Sequence, residues 1–182
     1  MTPGLNPGDP IIFFTMYSGT VHPPIVKTAV WDDESATQRF AERLAAVPAL
    51  RQAFITLRGD LGAGKTTLVR HLLRACGVTG RIKSPTYAVV EPYELAGWSA
   101  WHFDFYRFSD PREWEDAGFR DIFASAGLKI AEWPDKAAAC LPEADLAVQL
   151  SVLDENRRAV QLTARSTTGC ALLQALDEEA VA

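Results

Sequence analysis

The eight residues Gly59-Asp60-Leu61-Gly62-Ala63-Gly64-Lys65-Thr66 fit the pattern G-x-x-x-x-G-K-[ST] throughout, and every fixed position of that pattern serves the binding of nucleotide phosphates. Glycines permit positive φ, so successive N–H groups can turn inward and form an anion nest. A helix starting at about Lys65 presents its unpaired N–H groups and the positive end of its dipole to the same anion. Lys65 adds a point charge at the β- and γ-phosphates, and the Thr66 hydroxyl is placed to ligate Mg2+. Thr67 follows in the first helical turn, where it either reaches an α-phosphate or is an ordinary helix-start threonine.

Hydrolysis needs more than a phosphate cradle: an acidic metal ligand and a group that orients water. Two carboxylates at strand ends compete for these roles. Asp104 closes the aromatic-rich run Trp101-His102-Phe103-Asp104, and Glu132 closes Leu128-Lys129-Ile130-Ala131-Glu132 ahead of Trp133-Pro134. In an open α/β sheet the ligand lies beyond the carboxyl ends of the strands, which is within reach of both acids. About twenty residues after the phosphate loop comes Ser84-Pro85-Thr86-Tyr87. A Ser/Thr pair around a proline can act there as a nucleotide-sensing switch, or it can be a plain turn into a strand.

The phosphate motif works only between a strand and a helix, and its flanks supply both. Ala53 to Arg58 is a compact β-prone run, and Thr66 to Ala75 carries Leu68, Leu72 and Leu73 at helical spacing before Gly77. Upstream, Ile25 to Trp31 reads as a short strand. Ser35 followed by Gln38 suggests a capping box for a helix running to about Ala46, with Phe40 and Leu44 on one face. Downstream, Ser84 to Leu95 and Ala100 to Arg107 look extended, with a turn at Gly97. A helical stretch from Asp110 to about Ser125 precedes a strand from Gly127 to Trp133, and Asp145 to Leu153 and Arg158 to Ala164 read as a hairpin. From Thr167 onward a short helix or a frayed tail is expected. Strands alternating with helices and then giving way to hairpins predict an α/β fold with a sheet of mixed direction.

The chain has 182 residues, 48% of them hydrophobic, enough for one ordinary domain. Its net charge of -5 disfavours a free-standing nucleic-acid binder, which needs clustered Lys and Arg. No apolar run approaches the roughly 20 residues of a membrane-spanning helix. Cys76, Cys140 and Cys170 form no metal-type cluster and read as incidental thiols of a cytoplasmic protein. Met1 to Pro24 holds Ile11-Ile12-Phe13-Phe14 but no basic residue ahead of it, unlike a signal peptide. It reads as a disordered extension or as a start called too early, with Met16 the true start. The expected organisation is therefore an extension over 1–24, a nucleotide-binding domain over 25–165, and a terminal helix or tail over 166–182.

Four blocks in this order and at these separations resemble the TsaE family: Gly59 to Thr67, Ser84 to Tyr87, His102-Phe-Asp-Phe-Tyr-Arg107, and Glu132-Trp-Pro134. The helix holding Ser35-Ala-Thr37 and the Arg158-bearing strand are similar too, so the likeness spans roughly Ile25 to Ala164. The resemblance implies a P-loop NTPase-type three-layer fold with a mixed parallel/antiparallel sheet. It implies an ATPase that uses ATP and Mg2+, is weak alone, and works with TsaD and TsaB in making threonylcarbamoyladenosine on tRNA. In that family TsaD performs the transfer, and tRNA is met through the complex. By residue, the resemblance gives Lys65 and Thr66 phosphate and Mg2+, Glu132 a metal-ligand role, and Asp104 a metal-shell or water-orienting role. Ser84 to Tyr87 would be the switch, and Trp133 would stand near the nucleotide. Tyr87 stands where phenylalanine is more usual.

Three other readings compete. A small-molecule kinase would need an Arg-bearing lid, for which Arg107, Arg112 and Arg120 make no compact cluster. A regulatory GTPase would need a guanine-reading N/T-K-x-D segment, which the sequence lacks. A degenerate binding module is opposed by intact Lys65, Thr66, Asp104 and Glu132.

Overall fold

The computed structural model describes residues 23–85 and 88–176. Residues 1–22, hence most of the Met1 to Pro24 extension, lie outside the described residues, as do Thr86 and Tyr87 of the switch block and residues 177–182.

Seven strands form one sheet: β1 (Ile25–Trp31), β2 (Phe54–Arg58), β3 (Val90–Leu95), β4 (Trp98–Asp104), β5 (Leu128–Glu132), β6 (Leu146–Val152) and β7 (Arg158–Ala164), in the order β1-β7-β6-β2-β5-β4-β3. The central strands β6, β2, β5 and β4 are parallel, whereas β7 and β1 on one flank and β3 on the other pair antiparallel. The sheet is therefore mixed, as the alternation of helices and hairpins predicts.

Helices α1 (Glu34–Ala45), α2 (Lys65–Ala75) and α5 (Thr167–Ala175) bury Phe40, Leu44, Leu68, Leu72, Leu172 and Leu173 against Ile55, Leu57, Ile130, Val148 and Leu162 on one face. The short helices α3 (Pro111–Asp116) and α4 (Phe119–Ala124) cover the other face of β4, β5 and β2 with an aromatic core that includes Phe103, Phe105, Trp114 and Phe119. Alternate residues of each strand feed the two cores, which is the period-2 geometry of a sheet covered on both sides. Beyond β2, the second face of β6, β7 and β1 carries small, polar and β-branched residues such as Ser151, Gln161 and Val30.

Three local readings are corrected. The cap of α1 is Asp33, whose carboxylate accepts from Ala36 N at 2.9 Å; Ser35 lies inside the helix and donates to Asp33 at 2.6 Å. A carboxylate both caps and complements the helix dipole, so it outcompetes the hydroxyl. The expected helix from Asp110 to Ser125 is two helices, because Gly118 adopts φ 67 between them, a conformation glycine takes at no steric cost. The extended stretch expected from Ser84 becomes a strand only at Val90. From Thr167 the chain is a helix whose Leu172 and Leu173 are core residues. None of the described helices is long and apolar enough to cross a membrane.

Candidate active site: a phosphate loop facing two carboxylates

β2 delivers the chain into the phosphate loop at Gly59. A Cβ there would stand 2.3 Å from the Leu150 carbonyl oxygen of β6, with φ at 138° besides, so this position admits only glycine. Gly62 and Gly64 also have positive φ, and α2 begins directly after Gly64. Ala63 is fully buried; its N–H donates to Asp60 O at 3.1 Å and its carbonyl accepts from Arg158 Nε at 3.2 Å. Leu61, by contrast, is 79% exposed at the tip of the loop. α2 ends where the Gly77 and Val78 N–H groups bond Arg74 O and Leu73 O, the paired bonds of a Schellman cap.

Lys65 is 4% exposed. Its Nζ donates to Gly59 O at 2.7 Å and Asp60 O at 2.9 Å, and lies 3.9 Å from the centre of the Trp133 ring. Burial pushes its pKa below the usual lysine value, while Glu132, Asp104 and Asp60 pull it back up. Cation, aromatic face and acids thus share one hollow.

The carboxylates arrive from the sheet. Leu57, Glu132 and Asp104 are successive register partners on β2, β5 and β4, so the two acids stand side by side at the carboxyl ends of parallel strands, where α/β ligand sites form. Glu132 is 2% exposed, and its two oxygens lie 2.9 and 3.0 Å from Thr66 Oγ1. Asp104 is buried and held on both oxygens: Ser84 Oγ donates to Oδ2, and Tyr106 N donates to Oδ1 at 3.0 Å. Ser84 therefore touches one acid of the site, while Pro85 is buried beside it. Trp133 has φ 56 and ψ 46, an uncommon conformation for a non-glycine residue. Its ring also meets Tyr106 at 5.1 Å between centroids.

These groups line a hollow of about 390 Å³ bounded by Leu61, Gly62, Gly64, Lys65, Thr66, Thr67, Arg70, Ser84, Asp104, Tyr106, Glu132 and Trp133. A second hollow of about 200 Å³ opens on the other side of Gly62 and Gly64, lined in part by Trp31, Thr37, Thr67, Asn156 and Arg158. Thr67 borders both, and its hydroxyl accepts from Arg70 Nη2 at 3.2 Å.

Residue types alone did not single out His102, Arg70, Tyr106, Thr37, Asn156 or Arg158. For His102 a signal was available, since it precedes Asp104 by two positions in a strand and so shares its face. Arg158 was marked only by the family resemblance of its strand, while its contact with Ala63, 95 residues away, left no local trace.

A family model described as "Threonylcarbamoyl adenosine biosynthesis protein TsaE" matches residues 31–160. The chain belongs to the TsaE family. It is 41% identical over 138 residues to the tRNA threonylcarbamoyladenosine biosynthesis protein TsaE of Haemophilus influenzae, covering 76% of this chain and 87% of that one. It is 32% identical over 129 residues to the TsaE of Bacillus subtilis, covering 68% and 80%. The crystal structure of Bacillus subtilis YdiB superposes with a TM-score of 0.69 at 24% identity, over 87% of this chain and 99% of that one, which shows a shared fold. Every block that carried the TsaE resemblance lies within the matched residues 31–160.

Proposed function

We propose that the chain is the ATP-binding and ATP-hydrolysing member of the machinery that makes threonylcarbamoyladenosine on tRNA, acting with TsaD and TsaB rather than as the transferase. The observation that carries this reading is the meeting of the Thr66 hydroxyl with the buried Glu132 carboxylate at the start of α2, beside Lys65 and an intact phosphate loop.

The donor set fits Mg2+. Thr66 and Glu132 are hard oxygen donors of the kind Mg2+ prefers, and Asp104 is near enough to serve its water shell. Among the described residues no three or more His, Cys, Asp and Glu side chains gather to hold a metal. That agrees with a cation held by one or two protein oxygens, water and substrate phosphates. Thr66 and Glu132 would hold the cation, which would supply positive charge against the negative charge that develops during phosphoryl transfer.

The remaining work falls to the chain itself. The loop N–H groups and Lys65 grip the phosphates, with Lys65 exchanging its bonds to Gly59 O and Asp60 O for phosphate oxygens. Asp104, fixed by Ser84 and Tyr106 N, is set to orient water toward the γ-phosphate. Trp133 and Tyr106 contribute an aromatic wall to the hollow, with the Trp133 ring set against Lys65. The smaller hollow offers the Trp31 ring and the polar groups of Thr37 and Asn156 to the nucleoside end. The acidic chain leaves tRNA contacts chiefly to its partners.

The test is reconstitution of the modification with TsaD, TsaB, tRNA and a threonylcarbamoyl donor, read as modified nucleoside by mass spectrometry. The expected result is several products per TsaD only when this chain and hydrolysable Mg2+-ATP are present. The same yield without the chain, or phosphorylation of a small acceptor by the chain alone, would overturn the proposal.

A further inference from the structure

His102 touches neither the phosphate loop nor the solvent. It is 0% exposed on β4, with Nε2 2.9 Å from Glu132 Oε1, while Nδ1 is buried with no hydrogen-bond partner. A carboxylate accepts, so Nε2 carries a proton and donates. The polar chemistry of the ring is thereby committed to one oxygen of one carboxylate. If the ring served packing alone, an apolar side chain of similar volume would avoid a buried, unpaired Nδ1. It does not reach substrate from this position either, since Nδ1 is closed off from solvent and His102 is not among the residues lining the hollow beside the loop.

Glu132 is thus held from two sides. Thr66 Oγ1 spans both oxygens from α2, whereas His102 engages Oε1 from the sheet. Asp104 is held separately by Ser84 and Tyr106 N, so His102 bears on one acid of the pair. We infer that His102 is a positioning residue for the metal site, its Nε2–H pinning Glu132 Oε1 so that Oε2 is presented beside Thr66 to a divalent cation. This rests on the Mg2+-ATPase reading. Groups that orient a metal-binding side chain from behind commonly govern metal affinity by tenfold to a hundredfold.

The experiment is an electron paramagnetic resonance titration of Mn2+ into the full chain carrying a non-hydrolysable ATP analogue. His102→Met is expected to weaken Mn2+ binding about tenfold to a hundredfold, with nucleotide affinity in chelator unchanged. His102→Gln, whose amide nitrogen falls near the Nε2 position and can donate, is expected to restore much of the loss. Mn2+ binding by His102→Met equal to the unaltered chain, or no recovery in His102→Gln, would overturn the inference while leaving the ATPase reading intact. Failure of the unaltered chain to bind Mn2+ with the nucleotide would overturn both. Should His102→Met not fold, nitrogen-15 spectra of the unaltered chain decide. A ring protonated at Nε2 and still bonded when Mg2+ and the analogue are added supports the role, and a ring protonated at Nδ1 alone contradicts it.

Discussion

Lys65 and Glu132 make separable contributions. On the proposed reading, Lys65→Ala removes the buried charge that would grip the phosphates, and a charge-assisted bond of this kind is worth about 1.5–3 kcal/mol. ATP affinity should therefore fall about tenfold to a hundredfold in a calorimetric titration, and undiminished affinity would remove Lys65 from the site. If Glu132 holds Mg2+ as proposed, Glu132→Ala should lower Mg2+-dependent turnover far more than ATP binding, because it removes the metal ligand and spares the loop. Cys76 is a control away from the site: burial pushes its thiol up to about 11. At pH 8 its alkylation, followed by mass spectrometry, should run about a hundredfold slower than that of an ordinary thiol. A rate equal to a free thiol would contradict the burial. At this scale the phosphate loop was legible because its chemistry is local in sequence. The contacts of His102 with Glu132 and of Arg158 with Ala63 were not, because they cross 30 and 95 residues and depend on strand register.

Among the elements, α2 and the strands β2, β4 and β5 could be read from periodicity, since a buried strand and an amphipathic helix each leave a repeating apolar trace. The break at Gly118 and the cap at Asp33 were harder, because a lone glycine is tolerated inside a helical pattern and the Ser35–Gln38 spacing drew the cap two residues past Asp33. The helix after Ala164 was left open between helix and tail; its fully buried Leu172 now gives a test. Leu172→Ala should cost about 2–5 kcal/mol in denaturant unfolding. A change within about 0.5 kcal/mol, the size of a surface substitution, would place α5 outside the core. The turn between β6 and β7, next to the smaller hollow, is set by Asp154. Its carboxylate accepts from Asn156 N at 3.1 Å and from Arg157 N at 2.9 Å, and these bonds with Arg157 lower its pKa to about 2. Its folded value lies below the ordinary 3.8, so the stabilisation is complete above that pH and is lost as pH falls through about 2. Amide exchange at Asn156 and Arg157 should accordingly stay slow at pH 4 and quicken in Asp154→Ala; equal rates in both chains would contradict the cap.

For the whole molecule, the parallel centre of the sheet lines up Leu57, Glu132 and Asp104 at one edge, while the antiparallel flanks widen the support without adding to that row. The fold class was legible from the order of helices and hairpins, whereas the strand order was not, since nothing local dictates that β1 pairs with β7 across the length of the chain. With a net charge of -5, the isolated chain should bind tRNA weakly at physiological salt, as read by fluorescence anisotropy; tight, salt-sensitive binding would contradict that. The central claim is an ATPase that answers to partners, and ATP turnover by the purified chain, alone and with TsaD, TsaB and tRNA, tests it most directly. Slow Mg2+-dependent turnover that rises when the partners are added is the predicted result. Turnover indifferent to them would contradict the account and leave only a nucleotide binder with the TsaE fold.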